Sequence, residues 1–162
     1  MINKLRLHSF LNGALLVMVT FALASMNASA QKGLVKGRAD HAPQPAFSEY
    51  KGVRLGMSAE EIRGKLGKPA LAADDQDYYV ISNTESVQIV WDAAHKAKAI
   101  SIDYIEGVGA PDYKSVVGSD VQPQADGSLY KLVYYESLGF WVSYNRTASA
   151  VRMVTITIQQ IK

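Results

Sequence analysis

Few residues of this chain have the chemistry of a catalytic group. The chain has three histidines and no cysteine, which excludes disulfides, thiolate catalysis and cysteine-based zinc sites. His8 and His41 lie in segments assigned below to an export signal and a linker, and no H-E-x-x-H or G-x-S-x-G motif occurs. A catalytic triad would therefore have to use His95, which lies in a predicted turn, and turn histidines are far more often exposed than catalytic. We expect no catalytic residue and no cofactor.

The carboxylates are the next candidates, as ligands for a metal ion. Asp74, Asp75 and Asp77 cluster before the first predicted strand, but the segment lacks the glycine-centred loop of a calcium site. Asp92 and His95 are close in sequence and offer too few ligands for a firm site. We interpret the aspartates as a solvated turn and expect no metal.

Aromatic side chains suggest binding rather than catalysis. The chain has nine tyrosines and two tryptophans, and several of them fall in predicted strands. Exposed Trp and Tyr are typical anchors of protein–protein interfaces, because one side chain combines a large apolar area with a polar tip. The residues that we expect to bind a partner are Trp141, Tyr135, Trp91 and Tyr144.

The first 30 residues have the features of a secretory signal peptide. Lys4 and Arg6 form a positive start, an apolar run follows, and Ala28-Ser29-Ala30 is an A-x-A cleavage pattern. The apolar run is shorter than the roughly 20 residues needed to span a bilayer. We expect cleavage after Ala30, an exported protein in the periplasm or outside the cell, and no later membrane span.

The net charge after cleavage argues against nucleic acid as a partner. Removing Lys4 and Arg6 from the 17 Lys and Arg leaves 15, which equals the 15 Asp and Glu. A formally neutral chain gives no electrostatic case for binding nucleic acid.

Residues 31–48 are predicted to be a flexible linker, and residues 49–162 one domain. Gly, Pro, Ala and charged residues alternate in the linker without a period, and Pro43 and Pro45 favour extended backbone. Within the domain, the order of predicted elements suggests two halves, residues 49–107 and 108–162.

The first half opens with a well-marked short helix. Ser58 and Glu61 have the spacing of a capping box, in which each side chain bonds the backbone N–H of the other residue. Gly67 fits the left-handed position after the last turn, and Pro69 prevents the helix from continuing. The spacing predicts a helix over residues 59–66.

Alternating apolar residues predict six strands. They lie at residues 78–82, 86–92, 99–105, 129–135, 140–145 and 151–158, and short connections favour antiparallel pairing. A second short helix is expected within residues 112–120. The fold class is therefore α+β, an antiparallel sheet with one or two short helices packed on one face. It is either a tandem helix-plus-three-strand repeat or two hairpin sets of one sheet.

The helix opening resembles that of a known class of exported bacterial domains. The run from Gly52 to Ile62, followed by Leu66-Gly67-Lys68-Pro69, is similar to the opening of the SmpA/OmlA (BamE-like) outer-membrane assembly lipoproteins. The β-lactamase inhibitory protein has a related opening. The lipobox cysteine of the lipoproteins is absent.

The resemblance implies a non-catalytic binding or scaffold module of the cell envelope. Its partner would be another envelope or secreted protein. An inhibitor of a secreted enzyme is one alternative, and an uncharacterised periplasmic hydrolase is a second. The sequence leaves the oligomeric state open.

Overall fold

The first helix begins and ends where its capping residues predict. The computed structural model describes residues 44–161, and α1 spans Ala59–Leu66. The Ser58 hydroxyl accepts a hydrogen bond from the Glu61 amide at 3.3 Å, and the Glu61 carboxylate accepts one from the Ser58 amide at 2.8 Å. The capping box is therefore present, and Ile62 is the helix residue that is fully buried.

Gly67 ends α1, but in a different conformation from the predicted left-handed one. Its φ is 83° and its ψ is −158°, a region of the backbone map that only glycine adopts readily. The prediction of a glycine stop is confirmed, whereas its left-handed conformation is corrected. Pro69 follows two residues later, before the first strand.

Seven strands and a second helix complete the described structure. The helix α2 spans Tyr113–Val117, with the Asp112 carboxylate accepting from the Lys114 amide at its start. The strands are β1 (Leu71–Ala72), β2 (Gln76–Val80), β3 (Glu85–Trp91), β4 (Ala97–Ile105), β5 (Leu129–Tyr135), β6 (Phe140–Arg146) and β7 (Met153–Gln160). The two-residue β1 lies before residue 78, where the first strand was predicted to begin.

All seven strands form one antiparallel sheet. Their order across the sheet is β1-β2-β3-β4-β7-β6-β5, so the last strands of the two halves pair with each other at the centre. The first half contains a helix followed by four strands, the second half contains a helix followed by three strands, and consecutive strands pair within each half. The topology therefore combines the two alternatives, because the halves repeat one order of elements and together form one sheet.

The hydrophobic core lies between one face of this sheet and the two helices. Ile62 of α1 and Val116 of α2 belong to the same buried cluster as the inward side chains of the strands. Ile89, Ile100 and Ile158 are directly opposite one another on β3, β4 and β7 and are fully buried. The α+β class, with both helices on one face of the sheet, is confirmed.

The predicted linker and export signal lie mostly outside the described residues. The signal peptide at residues 1–30 and linker residues 31–43 are not described. Phe47, near the end of the predicted linker, packs against the core.

Candidate functional site

One face of the sheet is covered by neither of the described helices. Residues directly opposite each other on antiparallel strands point to the same side, so the strand register assigns every side chain to a face. We call the helix-free side the open face. Its side chains are Leu71, Gln76, Tyr78, Val80, Ser86, Gln88, Val90, Ala99, Ser101, Asp103, Ile105, Met153, Thr155, Thr157, Gln159, Trp141, Ser143, Asn145, Tyr130, Leu132 and Tyr134.

Hydrogen-bonded polar side chains occupy the middle of the open face. The hydroxyls of Ser101 and Thr157 lie 3.2 Å apart, and the Thr155 hydroxyl donates to the Asp103 carboxylate at 2.6 Å. Asp103 is the one charged residue among the open-face side chains named above. A centre with few charges is typical of protein–protein interfaces, because desolvating a charge costs more than desolvating a hydroxyl or an amide.

Three aromatic residues lie together at the β5 and β6 end of the open face. Tyr130 and Tyr134 are 51% and 57% exposed. Trp141 lies directly opposite Tyr134 on the neighbouring strand and is half-buried. The three rings form an accessible apolar surface next to the polar centre, and we call them the aromatic cluster.

Three of the four predicted binding residues are in the core instead. Trp91, Tyr135 and Tyr144 are only 3%, 6% and 4% exposed. Tyr144 packs edge-on against Tyr113 of α2 at 6.3 Å between ring centroids. The expectation that these three would be exposed was wrong, because they share a strand face with the buried aliphatic residues.

Trp141 is the predicted binding residue that does lie on the open face. Its neighbours Tyr130 and Tyr134 were not among the predicted site residues. Apolar residues occur on both faces of β5, so their alternation does not show which face is buried. Lys131 adds to the ambiguity, because it lies on the helix side of the sheet. They can be identified from the pairing of Tyr134 with Trp141, but this pairing is recognised only once the register of the β5–β6 hairpin is known.

A part-buried ion pair joins α1 to β2, where the sequence predicted a solvated turn. Asp77 is completely buried, and its carboxylate accepts from Arg63 Nε at 2.9 Å and Nη2 at 3.0 Å and from the Tyr79 hydroxyl at 3.1 Å. The hydrogen bond with Asp77 raises the pKa of Arg63, and burial raises the pKa of Tyr79 to about 12. The solvated-turn prediction is wrong for Asp77 and fits Asp74 and Asp75, which are exposed.

The candidate catalytic histidine lies on the surface. His95 is exposed in the turn between β3 and β4, with a φ of 52°. The Asp92 carboxylate accepts from the backbone amides of Ala94 and Lys96, and the bond from Lys96 is the main cause of its lowered pKa. Asp92 therefore stabilises the turn through its backbone bonds.

The described residues contain two shallow surface grooves, and neither brings acid–base groups together. One, of about 530 Å³, includes Arg54, Leu138, Phe140 and Ile161 in its lining. The second lies beside the end of α1, around Gly67 and Pro69. Neither lining includes His, Asp or Glu. Across residues 44–161 there is also no group of three or more potential metal ligands.

Comparisons with other proteins give no match, so the interpretation of the site rests on its geometry. No protein-family model, curated protein or solved structure matches the chain. Within the described part of the chain, neither helix has the length and apolar character needed to cross a bilayer.

Proposed function

We propose that this chain is a non-catalytic exported binding module, of the BamE-like kind, that contacts another envelope or secreted protein through the open face. The observation that carries the proposal is a sheet face with one charged residue, Asp103, and an exposed aromatic cluster at one end. The export signal and the opening motif in the sequence support the compartment and the class.

The physical basis of binding would be aromatic anchoring beside a polar, rigid surface. The sheet holds the backbone of these strands, so binding does not have to order a loop. Tyr134 and Trp141 supply apolar area, and Gln159, opposite Trp141 on β7, adds a side-chain amide beside them. The fitting partner is a folded protein that presents an uncharged, partly apolar patch.

A crosslinking pull-down tests the proposal with a matched control. The mature chain from Gln31 is incubated with the envelope fraction of its own organism, alongside the variants Tyr134→Ala and Val151→Ala. Val151 is 56% exposed in the loop between β6 and β7, comparable to Tyr134 at 57%. We expect a specific partner that Val151→Ala retains and Tyr134→Ala loses at least about tenfold, the effect of an interface residue worth about 1.4 kcal/mol or more.

Equal capture by both variants, or no specific capture, would contradict the proposal. Circular dichroism of each variant separates loss of binding from loss of the fold.

Inhibition of a secreted enzyme is the second candidate. It is favoured by the combination of Tyr130, Tyr134, Trp141 and Asp103 on one exposed face, since tyrosine, tryptophan and aspartate are the side chains expected to enter an enzyme's cleft. If the captured partner is a hydrolase, its activity in the presence of the wild type and of Tyr134→Ala distinguishes an inhibitor from a scaffold.

A further inference from the structure

The strand β5 ends the sheet with an edge that no described strand covers. The opposite end is closed by β1, which has only two residues, whereas β5 has seven. A long edge strand offers backbone N–H and C=O groups to any strand that can align with it. The residues that supply these groups decide what can bind there.

Two hydrogen bonds between β6 and β7 determine which residues of β6 face β5. The Ile161 amide donates to the Gly139 carbonyl at 2.8 Å, and the Thr147 amide donates to the Met153 carbonyl at 2.9 Å. Hydrogen-bonded pairs alternate along antiparallel strands, so the odd-numbered residues of β6 bond to β7 and the even-numbered ones bond to β5. The partners of the even-numbered residues on β5 are Tyr135, Val133, Lys131 and Leu129.

The backbone groups of the other three β5 residues therefore point outwards from the sheet. These residues are Tyr130, Leu132 and Tyr134, and none of the turn, loop or cap hydrogen bonds of the described residues uses their backbone groups. Their side chains lie on the open face. The free edge and the aromatic cluster thus share Tyr130 and Tyr134.

We propose that the occupant of this edge is a second copy of the chain, paired through β5 with β5 about a twofold axis. The segment Tyr130-Lys131-Leu132-Val133-Tyr134 is close to symmetric about Leu132. An antiparallel copy centred there pairs all three outward residues, with Leu132 opposite Leu132 and Tyr130 opposite Tyr134. A register centred on Lys131 or on Val133 instead pairs only two of the three outward residues with one another.

Charge also favours this register. In it, Lys131 of one copy lies opposite Val133 of the other, so no like charges meet. A register centred on Lys131 would place two lysines directly opposite, which is destabilising. A lysine on an edge strand often prevents pairing, and here it disfavours the alternative register while leaving the one centred on Leu132 open.

The pairing would make one binding surface out of two. A twofold axis perpendicular to the sheet keeps both open faces on the same side, and two seven-stranded sheets become continuous. The aromatic clusters of both copies then meet at the centre. Each copy supplies Tyr130, Tyr134 and Trp141 to a joint surface.

Cysteine substitution tests the register directly, because the natural chain has no cysteine. In purified Leu132→Cys the two sulfurs face each other across a pair with Cα atoms about 5.5 Å apart, within disulfide range. In Tyr130→Cys the two positions are roughly 14 Å apart along the strands, beyond that range. We expect Leu132→Cys to form a disulfide-linked dimer under mild oxidation. Tyr130→Cys should form at least about tenfold less of this dimer under the same conditions.

Sedimentation of the purified, cysteine-free chain gives an independent measurement. The average mass should rise with concentration for the wild type and for Val151→Lys, but not for Leu132→Lys, which places two charges opposite each other. A wild type that stays monomeric, or Tyr130→Cys dimers forming as readily as Leu132→Cys dimers, would overturn the proposal. The experiments use no partner protein, so failure here leaves the proposed function standing, and capture failure leaves the dimer standing.

Discussion

The buried carboxylate of Asp77 is the most consequential single residue in the described structure. It is fully buried, while the Arg63 side chain that pairs with it is 45% exposed. Removing the arginine would leave a buried negative charge with only the Tyr79 hydroxyl as a side-chain donor. The pair therefore fixes α1 against β2, at the start of the sheet that carries the open face.

Arg63→Ala should lower the free energy of unfolding by about 3 kcal/mol, the low end for breaking a buried pair, because Arg63 itself stays partly hydrated. Urea denaturation measures the change. Arg54→Ala is the matched control, since Arg54 pairs with Glu49 on the surface and such pairs contribute about 0–1 kcal/mol. Similar losses in both variants would contradict this account of Asp77.

Buried tyrosines should make the fold sensitive to alkaline pH. Burial raises the pKa of Tyr79 and of Tyr104 from 10.0 to about 12 in each case. Between these values the unfolded chain loses protons that the folded chain keeps, so stability is complete below pH 10 and falls as the pH rises towards about 12.

Tyr79→Phe should remove part of the late-titrating tyrosine absorbance and reduce the slope of stability against pH in that window. An ultraviolet titration in which Tyr79→Phe changes nothing would contradict the assignment.

At the scale of elements, the helix start was predictable and the faces of the edge strand were not. The capping box of Ser58 and Glu61 is a local interaction, so sequence spacing is sufficient to place it. Which side chains of β5 face the core depends on its pairing with β6, which is a tertiary contact. Both faces of that strand carry apolar residues, so the sequence pattern does not decide between them. The same limit led to Tyr135 being predicted on the surface and Tyr134 being overlooked.

Ser58→Ala should cost about 1 kcal/mol of stability, because the Glu61 amide loses its capping acceptor. Ser119→Ala, in the exposed loop after α2, should change stability by less than about 0.5 kcal/mol. The bond from the Ser58 amide lowers the pKa of Glu61, so helix stabilisation by this carboxylate is lost as the pH falls through that pKa. Equal denaturation midpoints for the wild type and Ser58→Ala would refute the role of the cap.

At the scale of the whole molecule, the two halves share one sheet and one core. The strands β4 and β7 pair along residues 99–105 and 153–159, and buried residues of both halves belong to one cluster. The α+β class followed from the alternation and helix signals in the sequence. The pairing of β4 with β7 did not, because it joins residues 48 to 60 positions apart.

The halves should therefore unfold in a single transition. Each half contains one tryptophan, Trp91 in β3 and Trp141 in β6, so the variants Trp141→Phe and Trp91→Phe each report on one half by fluorescence. Within each variant, the fluorescence transition should coincide with the loss of β-sheet circular dichroism in urea. A tryptophan signal that changes at a different urea concentration from the circular dichroism would show that the halves unfold independently.

The central claim is that the open face is where this protein meets its partner. A photo-crosslinking residue placed at Tyr134 and, as control, at Glu60 on the exposed side of α1 tests it in living cells. The account predicts an adduct with one other exported protein from position 134 and none from position 60. Adducts with the same protein from position 60 but not from position 134 would contradict it.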